Sequence, residues 1–84
     1  MGTKKQLKEI IEILEELEED MTVPRNVKDK IKTTIEILKE KTEDLKISIN
    51  KALHELDEIA DDANLQPYTR TQIWNIVSLL EKIE

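Results

Sequence analysis

The side chains best suited to metal binding or proton transfer are a run of carboxylates, EELEED at residues 15–20, and the single histidine, His54. Clustered carboxylates could hold a divalent cation, and a histidine could bind a metal ion or transfer a proton. Carboxylate metal sites of helical bundles combine glutamates with a Glu-x-x-His motif on a facing helix, and the sequence contains no such motif. We therefore expect the acidic run and His54 to be solvated surface groups.

The composition removes several other kinds of chemistry. The chain has no cysteine and one glycine, which leaves no thiol nucleophile, no disulfide and no glycine-rich phosphate loop. Its longest apolar run is far below the roughly 20 residues that a membrane span needs. We predict a cytoplasmic protein without enzymatic activity, cofactor or metal ion.

Basic residues share one flank of a predicted helix at Arg25, Lys28, Lys32 and Lys39. Four such bases can contact the phosphate groups of RNA or DNA. The neighbouring segments are acidic, however, and the net charge of −6 is unlike the basic footprint of nucleic-acid-binding proteins. Nucleic-acid contact through this flank is therefore the alternative, and a protein partner is the favoured prediction.

Two stretches, DMTVPRNV at 20–27 and DANLQPYTR at 62–70, each run from an aspartate through a branched apolar residue to a proline with an arginine close behind. They could be a binding site used twice or the corners of a repeated fold. We favour corners, in which proline starts the second helix and arginine reaches the preceding aspartate. The predicted corner residues are Asp20, Pro24, Arg25, Asp62, Pro67 and Arg70.

The elements that position these residues are helices, because apolar residues recur at helical spacing along most of the chain. The pattern predicts helices over about 4–20, 24–40, 43–61 and 67–83, with Thr42 as the N-cap of the third. Short connections make successive helices antiparallel neighbours. The fold class is therefore all-α.

A shift of 42 positions superimposes the chain on itself. Leu7 meets Ile49, and the apolar positions of 7–38 continue to meet those of 49–80. The prolines fall one residue out of register, which predicts an extra residue in the second corner. We interpret residues 1–84 as one domain made of two repeated helical hairpins. A closed four-helix bundle is favoured over a HEAT-like stack, because an open solenoid needs about three repeats.

Five apolar residues lie away from the centres of their helical stripes, Ile13 and Ile47 among them. The other three are Ile37, Trp74 and Leu79. Ile37 and Leu79 are equivalent under the 42-residue shift, and Trp74 follows Arg70 by one turn, where the two could stack. These residues form a candidate interface for a partner protein or for a two-fold homodimer. In the alternative interpretation, the bundle buries them.

The segments EDMTVPRNV (19–27) and LDEIADDANLQPYTRTQIWNIVSLLE (56–81) resemble a small archaeal family, uncharacterised protein family 0147. Together with the overall length, the resemblance covers nearly the whole chain. It implies an all-helical fold and an archaeal cytoplasmic origin, and it implies no activity. We predict a small helical protein that works through protein–protein contacts.

Overall fold

The computed structural model describes residues 2–40 and 44–83, with side chains from Lys4 onward. The four helices are α1 (Gly2–Glu19), α2 (Arg25–Lys39), α3 (Leu45–Ala60) and α4 (Pro67–Glu81). These ranges contain no β-strand. The all-α prediction is confirmed, and each helix lies within about two residues of its predicted bounds.

The start of α3 differs from the prediction. Its N-cap is Asp44, whose carboxylate accepts a hydrogen bond from the backbone N–H of Lys46 at 2.8 Å. An aspartate caps well because its oxygen satisfies a free N–H group and its charge favours the positive end of the helix dipole. The predicted cap, Thr42, lies outside the described residues.

The helices form a closed ring in chain order. α1 contacts α2, α2 contacts α3, α3 contacts α4 and α4 returns to α1, while the backbones of the diagonal pairs within the described residues lie farther apart. The molecule measures 35 × 20 × 20 Å. Closure between α4 and α1 makes the fold a four-helix bundle rather than an open HEAT-like stack.

The core consists of branched aliphatic side chains, one stripe from each helix. This follows from the helical spacing of the apolar residues, which directs them to a common axis. The completely buried core residues are Leu14 of α1, Val27 and Ile31 of α2, Ala52, Leu56 and Ile59 of α3, and Ile73, Ile76 and Leu80 of α4. Both aromatic residues of the chain, Tyr68 and Trp74, lie outside this core.

The two corners have the same hydrogen bonds at positions 42 residues apart. Asp20 Oδ1 accepts the N–H of Thr22 at 2.8 Å, and Asp62 Oδ1 accepts the N–H of Asn64 at 2.8 Å. The carbonyl of each aspartate also accepts the N–H three residues ahead, at 3.2 Å in both corners. Each aspartate therefore builds its own turn, which ends the preceding helix and redirects the chain.

The two corners are equally long, contrary to the prediction of an extra residue in the second. The N-cap of α2 is Pro24 and the N-cap of α4 is Gln66, which are again 42 residues apart. Pro67 instead occupies the first helical position of α4, where proline is also well tolerated. The two corners thus have the same length, and only the position of the proline within them differs by one residue. Arg25 is consequently the equivalent of Pro67 and not of Arg70.

Candidate functional site

Arg70 joins the two ends of the second corner. Its Nε donates to the carbonyl of Ala60 at 3.1 Å, and a terminal nitrogen donates to the carbonyl of Asp62 at 2.9 Å. The last carbonyl groups of a helix have no partners within the helix. The guanidinium supplies such partners at the end of α3 and places a positive charge at the negative end of its dipole. The predicted contact with the aspartate is therefore made with its backbone carbonyl and not with its carboxylate.

Arg25 has no comparable role. Its side chain is exposed and makes no hydrogen bond or ion pair with any other described residue. The predicted contact with Asp20 is not formed. That carboxylate instead accepts the hydroxyl of Thr22 at 2.7 Å as well as its N–H. The Thr22 hydroxyl, followed by its N–H and then the charge of Lys28, lowers the pKa of Asp20.

Asp62 connects the two corners, which lie at the same end of the bundle. Its Oδ2 accepts a hydrogen bond from the side-chain amide of Asn26 at 2.8 Å. The N–H of Asn64, and after it the Asn26 amide, lowers the pKa of Asp62. The carboxylate thus holds its own turn and the start of α2 together.

The basic flank of α2 faces acids of the same molecule. Lys39 Nζ lies 3.3 Å from Glu15 Oε2 of α1, and Lys28 acts electrostatically on Asp20. Arg25 and Lys32 are exposed. The flank predicted to contact nucleic acid is therefore partly neutralised by the acidic end of α1.

His54 and the acidic run lie on the surface. The imidazole is 76% exposed, and its Nε2 lies 3.5 Å from Glu58 Oε2 one turn along α3. Within residues 2–40 and 44–83, no three His, Asp or Glu side chains converge as metal ligands would.

The outer surface of α4 between residues 71 and 80 is uncharged, and the helix exposes large apolar side chains. Residues 71–80, TQIWNIVSLL, include no charged residue, although 38% of the chain is charged. Trp74 is 61% exposed, Leu79 is 40% exposed and Tyr68 is 67% exposed. The name α4 face is used below for the exposed residues of this surface, Tyr68, Thr71, Trp74, Asn75, Ser78 and Leu79.

Ile37 does not belong to the same surface as Trp74 and Leu79. It is half-buried and packs against the core, and its helix lies diagonally across the ring from α4. The equivalence of Ile37 and Leu79 therefore places them on opposite sides of the bundle. The predicted three-residue interface reduces to Trp74 and Leu79. The predicted stacking of Arg70 on Trp74 is also absent among the described contacts.

A groove of about 330 Å³ separates α1 from α4 near the corners. Its lining combines apolar, acidic and uncharged polar side chains: Ile13, Glu16, Leu17, Glu19 and Asp20 of the α1 side, and Tyr68 and Gln72 of α4. The amide of Gln72 donates to the hydroxyl of Tyr68 at 2.8 Å. The name α1–α4 groove is used below for this site.

Comparison with known proteins identifies relatives of the whole chain. The model of an uncharacterised protein family, UPF0147, matches residues 1–83. The chain belongs to this family. The UPF0147 protein MJ1419 of Methanocaldococcus jannaschii is 40% identical over 78 residues, which cover 93% of this chain and 84% of that protein. A UPF0147 protein of Archaeoglobus fulgidus is 38% identical over 80 residues, 95% of this chain and 91% of that one.

Two crystal structures have the same fold. A UPF0147 protein from Thermoplasma acidophilum aligns with a TM-score of 0.92 at 32% identity, covering 98% of this chain and 96% of that one. A protein of unknown function, MMP1188, aligns with a TM-score of 0.90 at 42% identity, covering 94% and 90%. None of the described helices has the length and apolar character needed to cross a bilayer.

Sequence reasoning missed Tyr68, Gln72 and Glu16 as a group. Helical spacing assigns each residue to a flank of its own helix, but it does not show which flanks face each other across an open groove. The charge-free run 71–80 was the available signal for the α4 face. In a chain this rich in charge, ten consecutive uncharged residues on one helix are typical of a surface that contacts another protein.

Proposed function

We propose that this UPF0147 protein has no enzymatic activity and acts by binding another protein through the α4 face. The observation that supports the proposal is the exposure of Trp74, Tyr68 and Leu79 on a helix that has no charged residue between positions 71 and 80. The centres of protein interfaces are depleted in charged residues and enriched in aromatic ones. The α4 face has both properties, whereas the outer surfaces of the other helices are rich in lysine and glutamate.

Tryptophan and tyrosine are the expected anchors of such an interface. Each buries a large area at the cost of few side-chain rotations, and each contributes more binding energy than most other residues when a partner covers it. Trp74 and Leu79 lie on opposite edges of the α4 face, with Asn75 and Ser78 between them. A partner that covers the whole face would bury both anchors. We place this interaction in the cytoplasm.

Affinity capture from lysate of the source organism tests the proposal. Trp74→Glu puts a charge on the α4 face, and Asn50→Glu puts the same charge on an exposed position of α3. We expect proteins retained by the parent and by Asn50→Glu to be lost, by roughly tenfold or more, with Trp74→Glu, because hot-spot losses exceed about 1–2 kcal/mol. Equal retention by all three proteins would contradict the proposal.

Contact with RNA or DNA through the α2 flank is the second candidate. Its support is the exposure of Arg25 and Lys32 on one side of α2. The ion pair of Lys39 with Glu15 weakens it, because that base is already engaged. Salt-dependent retention on a nucleic-acid column that is lost in Arg25→Ala/Lys32→Ala, and kept in Trp74→Glu, would establish this candidate instead.

A further inference from the structure

The internal repeat gives the bundle two equivalent helix–helix interfaces, α2–α3 and α4–α1. Polar side chains close the first of them at the end near the corners. Lys30 Nζ lies 3.2 Å from Glu58 Oε1, and the amide of Asn26 donates to Asp62 Oδ2 at 2.8 Å. The lysine also lowers the pKa of Glu58. A cation and an amide, one helical turn apart on α2, therefore contact the carboxylate of Glu58 on α3 and that of Asp62 in the corner after it.

The α4–α1 interface has the carboxylates without the donors. Glu16 and Asp20 stand 42 residues before Glu58 and Asp62, whereas Gln72 replaces the lysine. Tyr68 replaces the asparagine, and it and Gln72 bond to each other and not to α1. Glu16 is exposed and forms no hydrogen bond or ion pair with any other described residue. The gap left between these side chains is the α1–α4 groove.

We propose that the α1–α4 groove binds a basic segment of a partner protein, which supplies from outside the cation that Lys30 supplies at the equivalent interface. The segment carries two lysine or arginine residues one helical turn apart. One reaches Glu16 and the other reaches Asp20, since residues at i and i+4 lie on the same side of a helix.

The lining of the groove fits the whole side chain of such a residue. Leu17 is buried and Ile13 is half-buried, so they form an apolar floor between α1 and α4. The acids Glu16, Glu19 and Asp20 stand at its edge. Lysine and arginine lay an aliphatic stem on apolar surface and extend the charged group to the edge. An acidic or uncharged segment would leave Glu16 without a counter-charge.

The inference rests on the proposed function only in that the partner is a protein. The two sites share Tyr68, but Gln72 and Trp74 lie on nearly opposite sides of α4, about 160° apart. Trp74 shares the α3 side of the helix with Arg70, one turn before it, whose guanidinium contacts the end of α3. Trp74→Glu can therefore abolish partner capture without affecting the groove, and the two proposals can fail independently.

A titration with designed peptides tests the inference directly. The probe is an alanine-based helical peptide with two lysines four residues apart and a leucine beside them, and its control has glutamine in place of both lysines. Amide shifts of the isotope-labelled full chain are followed by NMR at low salt. With the lysine peptide at up to about 1 mM, we expect saturable shifts at Glu16, Asp20, Tyr68 and Gln72. This concentration range suits the weak binding expected of a short peptide.

Three variants test whether peptide binding depends on the groove or only on the overall negative charge of the protein. Glu16→Gln should weaken binding by roughly fivefold, whereas Glu12→Gln, the same charge change at an exposed α1 position outside the lining, should not. Gln72→Lys restores the equivalent of Lys30 within the chain and should also weaken binding by roughly fivefold or more, because its ammonium competes for Glu16.

Several results would overturn the inference. These are an absence of shifts with the lysine peptide, equal shifts with the glutamine control, and unchanged affinity in Gln72→Lys. Shifts of the Glu16 and Asp20 amides, which lie outside the α4 face, that grow with protein concentration in the absence of any peptide would assign the groove to a second copy of the chain and not to another protein.

Discussion

Arg70 is the side chain that ties the second corner to the helix before it. Its guanidinium donates to the carbonyls of Ala60 and Asp62, and a hydrogen bond to a charged group contributes about 1.5–3 kcal/mol. We expect Arg70→Ala to lower the free energy of unfolding by about 1–3 kcal/mol in urea denaturation, since both bonds are lost.

Two further variants control this experiment. Arg70→Lys keeps the charge but has one donor group, so it should fall between the parent and Arg70→Ala. Arg25→Ala should remain within about 0.5 kcal/mol of the parent, because Arg25 has no partner among the described residues. Similar losses in Arg25→Ala and Arg70→Ala would show that both arginines stabilise the corners.

Asp62 makes stability depend on pH. Its folded-state pKa is lowered, chiefly by the N–H of Asn64 and then by the amide of Asn26. A lowered carboxyl pKa adds stability above the pKa of the unfolded chain, near 4, and this contribution is lost as pH falls through the lower folded value. The urea midpoint should therefore be nearly constant between about pH 7 and 5 and fall below about pH 4.

The variant Asp62→Asn isolates this contribution, because asparagine can still accept the bond from Asn64 without carrying a charge. It should be less stable than the parent at neutral pH and should lose less stability on acidification. Asp57→Asn, an exposed position within α3, is the matched control. A pH profile that is identical in parent and Asp62→Asn would refute the assignment.

At the scale of the helix, α3 has a buried hydroxyl without a partner. Ser48 is 2% exposed, and its Oγ has no hydrogen-bond partner among the described residues. Thr34 of α2 is also buried, but its hydroxyl donates to the carbonyl of Lys30 at 2.8 Å. An unsatisfied buried hydroxyl destabilises the folded state, and alanine also favours the helix.

We therefore expect Ser48→Ala to raise the free energy of unfolding by about 0.5–1.5 kcal/mol in urea denaturation. Thr34→Val removes a satisfied hydroxyl of similar burial and should give no gain. A loss of stability in Ser48→Ala would mean that the hydroxyl has a partner in the folded protein.

The pairing of helices gives a second expectation at this scale. Gln72→Lys places on α4 the charge that Lys30 places on α2. The new lysine should form an ion pair with Glu16 of α1, equivalent to the ion pair of Lys30 with Glu58. We expect the melting temperature to rise by roughly 1–4 °C at low salt, which corresponds to an exposed ion pair in a domain of this size.

The gain should shrink at about 0.3 M salt, because screening shortens the range of the charges. Gln72→Met tests for a gain that comes from the longer aliphatic chain alone. If the methionine variant melts as high as the lysine variant, an ion pair with Glu16 is not the cause.

At the scale of the whole molecule, the α4 face suits a two-fold dimer as well as a different partner. An isologous interface uses the same patch on both subunits, so two α4 helices would pack against each other. Burying about 800 Å² per subunit would add to the small core of a chain of this length. We expect a dimer by light scattering at tens of micromolar.

Leu79→Glu should make this dimer dissociate, and Asn50→Glu should leave it intact. Trp74 is the only tryptophan, so its emission should shift to shorter wavelength as the concentration rises and the ring leaves water. A monomeric mass for the parent at these concentrations would exclude the dimer. Ile37→Glu is not informative here, because Ile37 packs against the core.

The sequence by itself determined the helices and their order. Their evidence is local: apolar residues such as Leu14, Ile31 and Leu56 recur at helical spacing, and an aspartate with a nearby proline marks each corner. The 42-residue repeat also followed from the sequence, because equivalent positions must fill equivalent places in a core. The length of the second corner was predicted wrongly, since a proline is tolerated both at the N-cap of α2 and at the first position of α4.

Only the tertiary structure decided which flanks meet. Arg25 and Arg70 both follow a corner proline, but they stand at different positions in α2 and α4, and only Arg70 reaches the end of the preceding helix. Ile37 and Leu79 occupy equivalent positions on helices that lie diagonally apart. Beside Glu16, Gln72 bonds to Tyr68 and not to α1, and a groove lies between the two helices. Such contacts depend on distances between residues far apart in the chain, and helical spacing contains no information about them.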